Sequence, residues 1–497
     1  MRSSDARLVM LLVVGSLAIG CSSSHGGASN QSPDQIGGND NPNNLIPGAS
    51  TLLTDNIVPS DVGQTFGVDD AHIPYPDTYW PFMQEGTNAA WNGSVGPLEK
   101  FMAVVDAAHA PDAKNWEHTN HGPAVANVAS WWGHCPGWTG ASMANAPILH
   151  AVDAASDGNG GLTSCNAGEA GCTKFEIGDI NALEAEAWVD GPNNFIGARC
   201  DTSPNSIQRD QYGRIVRTNS GGCQGLNAGA LLIVLGNRMK RQHLPMAIDA
   251  QNDFNTDQIW NQPAYRYQVY EYQPLTTAQA ANMVAHGTMT GDQTTYSWDT
   301  SAQGFVMVDI GIKWVSENGP NTEVVSGASS TSEMRFVAVV ELDAANDDPG
   351  AKIIGGEYVV DANAGSDRLT VPPFVWVNTG SGADLDPNDP NAANDGHNPW
   401  IKPSLVKQLI ALGTTGQAAP PDGSDDAGAP GDDGGGATTD ASTDPCNGAP
   451  DGSYCGGDSI SGNPDTLYVC AGGVTSSSQA CLNGCGTNDT GPGDTCF

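Results

Sequence analysis

Positive charge is what this chain has least of. Its 497 residues carry 19 Lys and Arg against 56 Asp and Glu, a formal net charge of -37. So acidic a surface repels phosphate backbones, which argues against nucleic acid as a partner. The charge favours solubility and says nothing of the fold. Long apolar runs are also scarce. The run at residues 8–20, "LVMLLVVGSLAIG", has the length of a signal-peptide core and is too short for a comfortable membrane span. No zinc-ligand spacing and no glycine-rich phosphate loop occurs, so no metal and no cofactor is expected.

The N-terminus reads as an address. Arg2 and Arg7 precede the apolar run, and "LAIGC" ending at Cys21 resembles a bacterial lipobox, with Ala18 where leucine is usual. Residues 1–21 are therefore expected to be a lipoprotein-type signal. Cys21 would be lipidated, the sole link to a membrane; plain secretion is the alternative. In both cases the protein is exported, to the cell envelope or beyond, where disulfides persist.

Composition divides the remainder. Residues 22–51 are polar and read as a disordered tether. Residues 52–413 hold nearly all the tryptophans and aliphatic runs and form the body. Residues 414–445 are almost wholly Gly, Ala, Asp, Pro and Thr, a flexible linker. Residues 446–497 form a six-cysteine module with too few apolar residues to hold a core without bridges. Its Tyr454, Leu467 and Tyr468 suggest a face for surface glycan or protein. Aspartates 384, 386, 389 and 395 read as a solvated loop, because Pro387 and Pro390 interrupt any calcium-loop pattern.

The body mixes periods. "INALEAEAW" reads as a helix capped by Asp179, and "SLVKQLIALG" as a closing helix. "GFVMVDIGIKWV", "RFVAVVEL", "IIGGEYVV" and "FVWV" read as strands. "ALLIVL" at 230–235 is apolar without alternation, either a strand or a buried helix. The class expected is α+β with an antiparallel sheet.

Twelve cysteines are present. Six belong to the module, one to the signal, and Cys165, Cys172, Cys200 and Cys223 can pair among themselves. Cys135 is left over, in "SWWGHCPGWTGASM" at residues 130–143. Pro136 marks the start of a helix there, and a helix N-terminus favours a reactive thiolate. The small residues that follow let such a helix pack closely. Trp131, Trp132 and Trp138 are candidates to wall a cleft. A buried, inert cysteine in a Trp-rich core is the plainer alternative.

"NHGPAVANVASWWGHCPGWTGASM" resembles the catalytic segment of the transglutaminase-elicitor family. A second segment agrees, running from "CQGLNAGALLIVL" through "AIDA" to Ile259-Trp260-Asn261-Gln262-Pro263. The resemblance implies a papain-like or transglutaminase-like core in which Cys135 is the nucleophile and Asp249 its acidic partner. Asp249 would orient an imidazole as a triad aspartate does. The histidine of the family aligns with Leu232, on what would be a strand. His121 is the substitute assigned as base, with His118 beside it as the other candidate; His134 and His243 are placed less well. The implied activity is acyl transfer from a protein glutamine to an amine or water. A cysteine protease or amidase, or a surface binding protein without the base, are the alternatives.

Overall fold

The computed structural model describes residues 36–93, 95–199, 225–250, 258–359, 371–389 and 396–415. In the module it describes 446, 452–455, 466–471, 474–480, 485–486 and 495–496. Residues 1–35, on which the expected signal and Cys21 fall, most of residues 414–445, Cys200, Cys223, Asp395 and Cys481 lie outside the described residues. The chain divides into two compact units, Met1–Pro421 and Asp422–Phe497.

The first unit opens with the short helix α1 (Leu53–Asn56) and strand β1 (Thr65–Gly67), then α2 (Pro97–Val105), α3 (Ala110–Asn120) and α4 (Cys135–Ala144). Strands β2 (Val152–Ser156), β3 (Leu162–Ser164) and β4 (Thr173–Phe175) precede α5 (Ile177–Trp188) and β5 (Asn193–Gly197). Next come α6 (Ala228–Val234), β6 (Met246–Asp249), β7 (Asn261–Leu275), α7 (Thr277–His286) and β8 (Gly304–Val315). The unit closes with β9 (Thr331–Leu342), β10 (Ile353–Tyr358), β11 (Phe374–Asn378) and α8 (Pro403–Thr415).

The main sheet is antiparallel in the order β10-β9-β8-β7-β6-β11-β5, with β1 against β7. The four runs read as strands lie in β8, β9, β10 and β11. In the inner half of β7, buried and half-buried residues alternate from Tyr265 to Tyr270, the mark of one covered face. β8 is buried through its first nine residues because both faces are covered. Helix α6 lies against β9 and β10, and α7 against β8. A second core, around α2, α5, α8 and β2–β4, contains Leu98, Phe101, Ile180, Leu183 and Leu409. Cys165 and Cys172 form a disulfide at the edge of this small sheet, so their pairing with each other is fixed.

Several expectations need correction. Residues 36–51 are not a free tether. The Ile36 amide donates to the Ile354 carbonyl at 3.0 Å, and Leu45 and Ile46 are buried in the main core. The apolar run at 230–235 is helix, not strand, and it widens into a π-type segment, Leu235–Arg241. Asn227 starts α6 by accepting the amides of Gly229 and Ala230 at 2.9 and 3.2 Å. Helix α5 is capped at Glu176; Asp179 stands a turn inside and accepts the Glu176 amide at 2.8 Å. α8 continues through Gly413, whose missing Cβ leaves room for Ile148. In the acidic loop, Asp384 accepts from Ser404 and Asp386 from the Asn388 amide. Among the described residues no helix is long and apolar enough to cross a membrane.

In the second unit, β12 (Gly452–Cys455), β13 (Thr466–Ala471) and β14 (Val474–Ala480) form a meander, and β15 (Cys485–Gly486) pairs β16 (Thr495–Cys496). Cys446 and Cys470 are bridged, and Tyr454 is buried against them, so it belongs to the module's core and not to a docking face.

Candidate active site

The cysteine sits where its sequence context places it. Cys135 is the first residue of α4, Pro136 follows it, and its thiol is not in a disulfide. The residue is 5 % exposed. Two glycines let α4 lie between a helix and the sheet. A Cβ on Gly137 would come within 1.8 Å of the Ala185 carbonyl of α5, and one on Gly140 within 2.6 Å of the Asn378 side chain of β11. Trp138 is 1 % exposed among Tyr75, Trp80, Ala182 and Ala185, its indole donating to the Tyr75 carbonyl at 3.1 Å. It is therefore core, not cleft wall. Trp131 and Trp132 remain partly exposed.

Strand β7 begins at the cysteine. Asn261 Nδ2 donates to Cys135 Sγ at 3.6 Å, and Thr139 Oγ1 donates to the Asn261 carbonyl at 2.8 Å. The Asn261 amide is itself oriented, because Trp376 of β11 donates to its Oδ1 at 2.7 Å. Asp249 closes β6 as the cross-strand partner of Asn261, is buried, and accepts the Trp260 amide at 2.9 Å. Cys135, Asn261 and Asp249 are thus gathered around one strand pair. Asn261 lies inside the motif that carries the resemblance, where nothing local marks its contact with Cys135.

Tyr79 stands beside this group, edge-on to Trp260 with ring centroids 5.3 Å apart. Burial raises its pKa, and its nearness to Glu317 and Cys135 adds to the rise. Glu317 is bonded by Gln262 Nε2 at 3.1 Å, and burial pushes its carboxyl up to about 7.

The histidines are committed elsewhere. His118 faces Glu85 at 2.9 Å, and His243 lies by the Gly67 carbonyl at 3.3 Å. His121 Nδ1 is 3.0 Å from Glu186 Oε1, and His134 Nδ1 is 2.5 Å from Glu186 Oε2. His121, assigned from sequence as the base, therefore belongs to a buried group with Glu117, His134 and Glu186, each 0 % exposed. Burial opposes the charge on Glu186, but His134 and His121 outweigh it and hold its carboxyl well below the usual range. Leu232, the position aligned with the family's histidine, is 2 % exposed in the main hydrophobic core on α6. It does not point into a cleft.

The fold thus brings a cysteine at a helix start against an asparagine of an antiparallel sheet, with an aspartate on the neighbouring strand. The chain belongs to the transglutaminase elicitor family, whose model matches residues 112–385, just over half its length. Among solved structures it is similar to the GP42 transglutaminase from Phytophthora sojae, with a TM-score of 0.50 and 18% identity. The match covers 71% of this chain and 93% of that one, and it is a likeness of fold. Comparison with curated proteins finds no match.

Proposed function

We propose that this protein is an exported acyltransferase of transglutaminase type with a papain-like arrangement of its site. Cys135 Sγ attacks the carboxamide carbon of a protein glutamine. The C–N bond breaks, ammonia leaves with a proton, and a thioester remains. An amine then attacks the thioester, restoring the thiol and forming the new amide; water gives glutamate instead. The start of α4 directs its backbone dipole at the developing oxyanion. Asn261 fixes the sulfur, and Asp249 fixes the strand pair that carries Asn261.

The contact between Asn261 and Cys135 carries this reading. An inert core cysteine would need no amide from a neighbouring strand, itself oriented by Trp376. A second reading, a surface binding protein derived from such an enzyme, is favoured by the commitment of His118, His121 and His134 to carboxylates.

Transfer of a labelled primary amine to a glutamine-bearing protein decides between them. Wild type is expected to incorporate label, Cys135→Ala to lose it to background, and Asn261→Ala to retain a small fraction. Activity surviving Cys135→Ala would sink the catalytic reading. A silent wild type whose thiol still alkylates would leave the binding reading standing.

A further inference from the structure

The four residues Glu117, His121, His134 and Glu186 do not belong to the cysteine's hydrogen-bond set, yet they converge from three helical segments on one buried point. One donor atom from each lies within 4.8 Å of every other. The orphaned atoms point the same way. His121 Nε2 and His134 Nε2 have no hydrogen-bond partner although both residues are 0 % exposed. Buried imidazole nitrogens without partners cost free energy unless something is bound there. Each carboxylate is already supported from behind. Glu117 Oε1 accepts from the Thr87 amide and hydroxyl at 2.9 and 2.7 Å, and Oε2 from Asn398 Nδ2 at 3.0 Å. The Asn398 amide donates to Glu186 Oε1 at 2.5 Å. Such outer partners are what orient metal-binding carboxylates. Phe82 stacks on His121 at 4.9 Å and Trp116 meets its edge at 5.0 Å, which excludes water. A Cβ on Gly86 would come within 2.6 Å of Glu117 Oε1 and 3.5 Å of His134 Nε2, so this glycine keeps the space open.

We propose that Glu117, His121, His134 and Glu186 bind one divalent transition cation of the zinc class as a structural site. Two imidazoles and two carboxylates are a ligand set suited to zinc, manganese or iron, and the two carboxylates balance the charge of a divalent ion. Tetrahedral donors at ordinary bond lengths lie roughly 3.3 Å apart. The side chains therefore draw together by small rotations, without movement of the helices. The ion ties α3, which carries Glu117, to α5, which carries Glu186, and to His134 at the threshold of α4. It thereby fixes the residue before Cys135. The site is independent of the acyl-transfer reading, and its test reads no activity.

The test uses full-length protein bearing Cys135→Ser, which removes the thiol as a competing ligand. Elemental analysis after desalting is expected to find about one transition metal per chain. Glu117→Gln and His121→Gln are each expected to lower that at least about tenfold, since each removes one of four donors. Stripping the protein with a chelator should lower its melting temperature by several degrees, with Zn²⁺ restoring it and Ca²⁺ failing to. If the variants do not fold, Co²⁺ added to the stripped protein decides, because four nitrogen and oxygen donors in a tetrahedron give a visible absorption band that Zn²⁺ abolishes. The proposal is overturned by protein that contains no transition metal and whose melting is unmoved by Zn²⁺, Mn²⁺ or Fe²⁺. It is equally overturned by metal retained in full by both folded variants, or by stripped protein that shows no cobalt band.

Discussion

At Leu232 an imidazole would have to enter the main core. The side chain is 2 % exposed on a helix whose seven residues are all buried. Leu232→His removes a buried leucine and places a polar ring where the neighbours are aliphatic. The expected loss of stability is about 3 kcal/mol or more. Urea denaturation measures it, and no amine-transfer activity is gained. A variant as stable as wild type with new activity would contradict the placement of α6. The sequence misleads here for a physical reason. In "ALLIVL" every residue is apolar, so neither a two-residue nor a 3.6-residue period is visible, and only the surroundings decide. Cys135 is the opposite case: Pro136 and the small residues after it spell out a tightly packed helix start, and that is what the fold contains. The role of Asn261 is not legible in the sequence, because a side chain bonded across 126 positions leaves no local trace.

The α4–α5 pair shows what holds the nucleophile in place at the scale of elements. Gly137 brings the backbones together, and a methyl group there would meet the Ala185 carbonyl at 1.8 Å. A carbonyl fixed in helix α5 cannot swing aside as a side chain can. Gly137→Ala is expected to cost about 2–3 kcal/mol through forced separation of the helices. Gly319→Ala, where nothing lies within 4 Å, is the control, expected within about 0.5 kcal/mol of wild type. Equal melting temperatures for the two variants would refute the close-packing argument. The small-residue run after Cys135 announced this approach. The other wall did not announce itself: Glu184 and Glu186 in "ALEAEAW" look like a solvated face, yet all of α5 is buried. Asn398, two hundred residues later, is what covers Glu186. Likewise Leu45 and Ile46 are too few among Asn and Gly to signal that residues 36–51 dock on the core. The long strands were legible because each is an apolar run of its own; the contacts that assemble the site come from residues far apart in sequence.

Over the whole molecule, the charge of -37 and the buried acids act in the same direction. Asp77 is 1 % exposed, and burial pushes its carboxyl up to about 7 despite the hydrogen bond from Trp80 Nε1 at 3.0 Å. Its folded pKa stands above the unfolded value, so the folded state binds its proton more tightly. The stability this contributes is fully present below the unfolded pKa, near 4, and is lost as pH rises through about 7. A rise of that size corresponds to an upper bound on the order of 4 kcal/mol. Glu317, also pushed up to about 7, adds to the same slope. Self-repulsion among the surface carboxylates strengthens over this range as well. The opposing groups include Glu186, held low by His134 and His121 against burial, and Asp157, Asp292 and Asp386, lowered by hydrogen bonds at the surface; their contribution is lost only as pH falls below the ordinary carboxylate range. Stability should therefore peak near about pH 4, where the buried acids keep their protons and the lowered carboxylates are still ionised, and decline toward pH 8. Thermal melts across that range measure the decline in wild type and in Asp77→Asn, which keeps an acceptor for Trp80 but cannot ionise. The variant should lose less stability than wild type between pH 6 and pH 8. A wild-type melting temperature that is flat or rises over that interval would show that Asp77 is hydrated in solution and that the buried acids do not set the acid-side optimum.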